Sequence, residues 1–452
     1  MMPKVSFVEA FWVWCRVAML SFGGPAGQIA VMHRILVEEK KWISESQFLH
    51  ALNYCMLLPG PEAQQLSVYI GWLLHRTWGG IVAGTLFILP GFLSILALSI
   101  LYTFFREVTI VQGLLYGLKP AIIAVVIMAA LRVGQRSLQN KHKVAIAMLA
   151  FICILVFKIP FPVIILAAGL FGLVAVRIWP ENWKLAGHAT ARQPILDVES
   201  EAALNSAVAP APSWLGTTGV VCGWLAVWWL PIGMLAVCFG ADSIFVQEAL
   251  FFSKAAMVTF GGAYSVLAYI AQECVETYRW LEPGEMLDGM GMAESTPGPL
   301  IQVVQFVGYL GAYRNPGSLH PLTAAIVGSI VTTWVTFAPC FLWVFAGAPY
   351  IERLRGNEKM NGIMSAISAA VVGVIVSLAI WFSLNTLFAK VSEVSGYGFY
   401  LLVPVWSSFD PAAAVIATCA FGAIFRYKVG LITTLLCSVV AGALYYVGVN
   451  IS

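Results

Sequence analysis

The feature that most limits what this chain can fold into is its long apolar runs without charge. Ala121 to Leu131 holds no charged residue, and neither does Pro160 to Val176. Stretches of about 20 apolar residues are long enough to cross a bilayer as helices. Lipid offers no partners to backbone N–H and C=O groups, so a spanning segment is either a helix or part of a closed barrel. Barrel strands would alternate apolar and polar residues over roughly 10 positions. These runs do not alternate, so the expected fold class is an all-α polytopic membrane protein. Composition agrees: 60% of the 452 residues are hydrophobic and 10% are charged. A soluble domain carries about 25% charged residues, and one of this size could not cover its surface with so few.

The net charge of +3 says less than the placement of the charges. Met1 to Phe22 lacks the short apolar core and small-residue cleavage site of a signal peptide. The nine cysteines are scattered without a CxxC pair, and most lie in apolar runs, where Cys behaves as a small hydrophobe. The six histidines show no HxxxH spacing. No disulfide framework, metal site or cofactor is expected.

The chain is expected to contain two diverged copies of one unit. Ser21-Phe22-Gly23-Gly24 and Thr259-Phe260-Gly261-Gly262 lie 238 residues apart. At that same offset of 238, Glu38 matches Glu276, Trp42 matches Trp280, Pro59-Gly60-Pro61 matches Pro297-Gly298-Pro299, and Gln64 matches Gln302. No gap is needed across the block, and internal repetition of this kind outweighs any local signal.

Apolar segments run roughly over 6–36, 47–75, 79–105, 110–134, 143–158 and 160–178 in the first half. In the second half they run roughly over 245–275, 285–312, 322–350, 360–389, 397–425 and 428–450, the fifth being interrupted by Pro404 and Pro411. The expected division is 1–180 as the N-terminal repeat, 181–213 as a polar linker, 214–240 as a connecting transmembrane helix and 241–452 as the C-terminal repeat. That predicts about 12–13 transmembrane or re-entrant helices. The unpaired connecting helix would give the halves inverted topology. With a cytoplasmic N-terminus, Arg132, Arg136, Lys141, Lys143, Arg279, Arg353, Arg355, Lys359, Arg426 and Lys428 fall inside, the bias expected of multi-pass proteins. Arg34, Lys40, Lys41 and Arg106 in the first half, and Arg314 and Lys390 in the second, fall outside and run against it.

Inverted repeats are a common build of secondary transporters, with sites at the midplane where helices are broken. Each half has two candidate breaks. Glycine pairs at Gly23-Gly24 and Gly261-Gly262 allow a helix to unwind and a backbone to approach closely. Pro59-Gly60-Pro61 and Pro297-Gly298-Pro299 cannot continue a helix smoothly but suit the start of a new one. Helix N-termini opening after them would draw anions through free N–H groups and the macrodipole. The plain alternative is a proline kink that only shapes packing.

Arg16 and Lys254 lie five residues before Ser21 and Thr259. A cation inside an apolar segment costs at least roughly 2.5–3.5 kcal/mol on insertion scales, so its repetition suggests a use such as holding an anion. The alternative is that both snorkel to an interface. Carboxylates break the symmetry: Glu62 follows the first Pro-Gly-Pro where the second copy has Leu300, and Glu294 precedes the second where the first has Met56. Either is a candidate proton-coupling group, with helix capping or a local ion pair as the alternative. Trp42 and Trp280 read as anchors at the membrane interface.

The motifs SFGGPAGQIAVMHR and LNYCMLLPGPEAQQLSVYIGW, with TFGGAYSVLAYI and ESTPGPLIQVVQFVGY in the second half, closely resemble the chromate transporter family, in its long two-domain form. The resemblance implies an inner-membrane, multi-pass transporter that exports chromate and confers resistance to it, with sulfate as a related oxyanion. It carries over Arg16, Pro59, Gly60, Pro61, Glu62 and Gln64 as functional, alongside the block Ser21 to Gln28. The substrate-binding set expected is Arg16, Ser21, Phe22, Gly23, Gly24, Pro59, Gly60, Pro61 and Gln64, with Lys254, Thr259, Gly261, Gly262, Pro297, Gly298, Pro299 and Gln302. Expected partners are chromate or sulfate, the lipid bilayer and, as an option, a second copy of the chain; nucleic acid is not expected. The rivals are a carrier of sulfate or a related oxyanion, a channel, and a membrane-embedded enzyme acting on a phosphate-bearing lipid. Against the enzyme stands the lack of a His or Asp cluster or a metal motif.

Overall fold

In the computed structural model, residues 5–179, 183, 214–260, 262–348, 358–396 and 399–451 are described. The expected linker 181–213 lies outside the described residues except for Trp183. The first half runs α1 (Phe7–Leu20), α2 (Gly24–His33), α3 (Glu45–Cys55), α4 (Glu62–Phe105, two helices joined at a kink of non-helical backbone at His75 and Arg76), α5 (Thr109–Ser137), α6 (Lys141–Leu155) and α7 (Phe161–Ile178). Then come α8 (Trp214–Phe239), α9 (Ile244–Met257), α10 (Ala263–Gln272), α11 (Pro283–Ser295), α12 (Val303–Arg314), α13 (Pro321–Gly347) and α14 (Glu358–Leu387). A β-hairpin, β1 (Val391–Gly396) and β2 (Phe399–Pro404), precedes α15 (Pro411–Phe425) and α16 (Leu431–Ile451). Among the described residues, α4, α5, α7, α8, α13, α14 and α16 contain stretches long and apolar enough to cross a membrane. The chain is a multi-pass helical membrane protein.

Local chemistry sets the helix ends. Ser6 caps α1 by accepting from the Glu9 amide at 3.2 Å, and Glu9 places negative charge in that first turn. α3 opens on a capping box between Ser44 and Gln47, and α11 opens on one between Glu282 and Glu285. Both α2 and α10 pass into a π turn, over Arg34–Glu39 and Glu273–Thr277. Each turn is followed by a residue in the left-handed region, Lys41 at φ 53 and Arg279 at φ 54. The next amide then closes back, Trp42 onto the Leu36 carbonyl at 2.9 Å and Trp280 onto Cys274 at 2.8 Å. The correspondence seen in side chains therefore extends to individual backbone bonds.

The expected breaks are present: the segments 6–36, 47–75, 245–275 and 285–312 are each interrupted, because no helix accommodates the Gly-Gly or Pro-Gly-Pro conformations. Two expectations change. The segment 397–425 is half hairpin: Val391 to Pro404 form an antiparallel pair and the helix starts only at Pro411. Pro404 ends β2, where a proline costs no central ladder bond. Trp42 and Trp280 are 5% and 2% exposed and sit in the core, with Trp280 stacked on Tyr278, rather than at a lipid interface.

The long helices exchange partners. α5 packs against α15 and α16, whereas α14 packs against α6 and α7 as well as α5. Small residues make this possible, as membrane helices without a hydrophobic driving force require. A Cβ on Gly117 would overlap the Ser438 carbonyl oxygen across α5 and α16. One on Gly362 would overlap the Val176 side chain across α14 and α7. α8, apolar on all sides, leaves most of its described surface exposed, as a lipid-facing helix does.

Candidate functional site

The four breaks meet in bonded pairs drawn from opposite halves. Gly60 donates its amide to the Thr259 carbonyl at 2.8 Å, and Gly298 donates its amide to the Ser21 carbonyl at 2.9 Å. Each Pro-Gly-Pro of one half is thus tied to the Gly-Gly break of the other. Gly60 and Gly298 have φ of 127° and 119°, which L side chains rarely adopt. A Cβ on Gly60 would also stand 2.8 Å from both Cys340 Sγ and Gln65 Nε2. The prolines beside these glycines end one helix and start the next, as their sequence requires. The glycine amides themselves are not free for an anion, contrary to a simple view of the motif. The donors left over are those of the first helical turn beyond it, which lack intrahelical acceptors.

The hydroxyls at the Gly-Gly breaks are spent in the same way. Ser21 Oγ donates to the Val17 carbonyl and Thr259 Oγ1 to the Ala255 carbonyl, each at 2.7 Å. Phe22 folds its amide back on Leu20 at 3.0 Å, and Gly23 and Gly24 take φ of 79° and 71°. Gly261 lies outside the described residues; Gly262 has φ 101°. Pro59 is held by Gln65, whose Nε2 donates to the Pro59 carbonyl at 2.7 Å. Pro61 and Pro299 each stand just before the new helical turn, at Glu62 and Leu300. Pro297 places its carbonyl beside Gly91 of α4.

Two carboxylates face these breaks. Glu62, in the first turn of α4, brings Oε1 to 3.7 Å from where a Cβ of Gly262 would sit. Glu294, on the last turn of α11, is buried and accepts from the Tyr264 hydroxyl, leaving Oε2 without a partner. That same hydroxyl lies 3.8 Å from where a Cβ of Gly24 would sit. Gln64 is 0% exposed and neither of its side-chain polar atoms has a partner; Gln302 is 1% exposed and its Oε1 has none. Buried polar atoms of this kind are few in native proteins, and each asks for a ligand or a water.

The two expected cations are not brought to the crossing. Arg16 is half exposed and bonds to Glu39 at 2.8 Å, and Lys254 is exposed. Tyr264, outside the expected site set, and Gln28, the last residue of the carried-over block Ser21 to Gln28, do reach the breaks. Gln28 Nε2 donates to the Gly298 carbonyl at 2.5 Å. A second polar cluster surrounds α11: Arg314 binds Glu285 through two nitrogens at 2.6 and 2.8 Å, and Arg106 adds a third contact at 2.6 Å. Asp288 receives Lys119 at 3.4 Å and the Tyr102 hydroxyl at 3.1 Å. Arg106, Arg34 and Lys40, which ran against the expected charge bias, are all paired locally, the last two with Glu39 and Glu9. No group of His, Cys, Asp and Glu suited to a metal occurs among the described residues. What the crossing offers chemically is unpaired amide donors and two protonatable groups at interrupted helices.

The chromate transporter family model matches the chain twice, over residues 8–173 and 246–443, starting points that lie 238 apart. A chromate transport protein of Cupriavidus metallidurans is 27% identical over 382 residues, covering 84% of this chain and 83% of its own. A chromate transport protein of Pseudomonas aeruginosa is 29% identical, covering 82% of this chain and 80% of its own. A probable chromate transport protein of Synechococcus elongatus is 27% identical, covering 83% and 85%. No solved structure matches. With both halves matched by one family model, the chain belongs to the chromate transporter family.

Proposed function

We propose that this protein is a secondary transporter that exports chromate across the inner membrane and thereby confers resistance to it. The observation that carries the reading is the buried Gln64, three residues beyond the second proline of the first Pro-Gly-Pro, whose amide nitrogen is left without a partner where helices are interrupted. In a chain of this family, such a donor suits a tetrahedral dianion. The binding region is the crossing of Ser21 to Gly24, Pro59 to Gln64, Thr259 to Gly262 and Pro297 to Gln302. Arg16 and Lys254 belong to its outer surface in this reading. Glu62 and Glu294 are the groups that would carry protons, since an anion beside a charged carboxylate is repelled.

The repeats, 1–180 and 241–452, would be inverted about the connecting helix 214–240, with the N-terminus in the cytoplasm. Alternating access then follows from rocking of one half on the other. Energetics favour export: one charge crossing roughly 100 mV is worth about 2.3 kcal/mol, so a dianion leaving an inside-negative cell gains about 4.6 kcal/mol. The test is chromate uptake into everted vesicles holding the protein, under an inside-positive potential. Uptake that follows the potential and falls at least about tenfold in Gln64→Ala supports the reading. No uptake with folded protein in the membrane would sink it.

A further inference from the structure

The two Pro-Gly-Pro breaks are built alike but are not satisfied alike. Around the second, Gly298 gives its amide to Ser21 and takes the Gln28 amide on its carbonyl. Gln302 Nε2 donates to Gln305 Oε1 at 3.3 Å, and Gln305 Nε2 donates onward to the Phe92 carbonyl at 2.9 Å. The side-chain amide donors around the second break therefore have acceptors, Gln305 Oε1 and the Phe92 carbonyl of the first copy. At the offset of 238, Gln305 corresponds to Ser67, and Gln28 corresponds to Val266. Ser67 is turned away from the Gln64 side chain: its Oγ donates to the Gln64 backbone carbonyl at 2.7 Å. With serine in place of glutamine, nothing reaches the Gln64 amide, and both of its polar atoms stay unpaired at 0% exposure.

We propose that the oxyanion is held at one break only, by the side-chain amide of Gln64 with the first-turn amides of α4, and that Gln302 is a structural residue kept occupied by Gln305. The proposal rests on the transport reading and narrows it. Gln64 stands in the third position of α4, on the turn whose backbone N–H groups have no intrahelical acceptor. An oxyanion there would collect side-chain and main-chain donors at a positive helix end, the arrangement by which helix N-termini bind anions. The 3₁₀ turn over Leu300–Gln302 already folds the Gln302 amide onto the Pro299 carbonyl at 2.9 Å.

The test exchanges the two deciding residues in the full-length purified protein. Thermal stabilisation by chromate, sulfate and phosphate is measured for wild type, Ser67→Gln, Gln64→Met and Gln305→Ser, together with chromate uptake in vesicles. The expected result is stabilisation of wild type by an oxyanion, lost in Ser67→Gln and Gln64→Met and kept in Gln305→Ser. Chromate uptake is expected to fall about tenfold or more in the first two and to stay within about twofold in the third. Gln64→Met, close in volume, decides the matter if Ser67→Gln does not fold. Loss of stabilisation in Gln305→Ser, or its survival in Gln64→Met, overturns the proposal. Stabilisation by sulfate but not chromate, with the same variant pattern, leaves the single-site assignment standing and removes the chromate reading. No stabilisation of wild type by any of the three anions overturns the assignment itself.

Discussion

Glu248 on α9 is 0% exposed, and neither of its carboxylate oxygens has a partner. It faces Gly311 of α12 and Gly328 of α13, where added Cβ atoms would come within 2.7 and 3.0 Å of it. A buried carboxylate without hydrogen bonds is costly, and apolar replacement of buried charge is often neutral or stabilising by about 1–4 kcal/mol. Glu248→Met is therefore expected to leave the thermal midpoint of the purified protein unchanged or raised. A fall of several degrees would show that the carboxyl has a structural partner. The duplication points to Gln64 and Gln302 twice, and both are buried with unpaired polar atoms. Gln28 was marked only as the end of the block Ser21 to Gln28, and Tyr264 was not marked as a site residue, since it occurs in one copy only and reaches Glu294 through the fold. The contrast is sharpest for Arg16 and Lys254. Their repetition in sequence suggested a shared anion, yet repetition fixes position along a helix and not the side on which a partner such as Glu39 waits.

Among the elements, the closest helix crossings should be the most sensitive to volume. Gly117 and Gly442 bring α5 and α16 into backbone contact. Gly117→Leu must separate these helices, at a cost of about 1–3 kcal/mol or more. The expected outcome is a lower detergent-solubilised midpoint and less monodisperse protein. Leu at Gly219, where an added Cβ meets nothing within 4 Å, should be tolerated. The β-hairpin is held from below by Lys158, which reaches Glu276 at 3.0 Å and Glu393 at 2.9 Å. Burial disfavours the lysine's charge, but bonds to the two carboxylates outweigh this and raise its pKa above the usual lysine value. That tether links the hairpin to the turn after α10. Helix existence was legible from the apolar runs, whose length is a bilayer's demand. The hairpin was not, because its exposed Phe399, Leu401 and Val403 resemble a spanning segment in composition. Only Pro404 and Pro411 hinted at the interruption.

For the molecule as a whole, the reciprocal bonds and exchanged helices make the halves interdependent. In the proposed export, the driving force is a whole-molecule property, because a dianion would cross the full field. Collapsing the potential of everted vesicles while keeping a pH gradient is expected to remove most chromate uptake. Uptake sustained by the pH gradient alone would assign the driving force to proton carriers such as Glu62 and Glu294. The duplication was legible in sequence; the exchange of partners between copies was not, since an offset relates equivalent residues and is silent on which of them touch. That exchange bears on how the protein is made. As the chain leaves the ribosome, the first half enters the membrane with the Gly60 amide, the Ser21 carbonyl and the groove of α5 all awaiting segments not yet synthesised. Their mates, Thr259, Gly298 and the α15–α16 pair, arrive only with the last half of translation. An early product truncated before α9 would hold an interrupted helix whose polar backbone lipid cannot satisfy. Such a fragment is a substrate for quality-control proteolysis, and supplying the missing half as a separate polypeptide should rescue it.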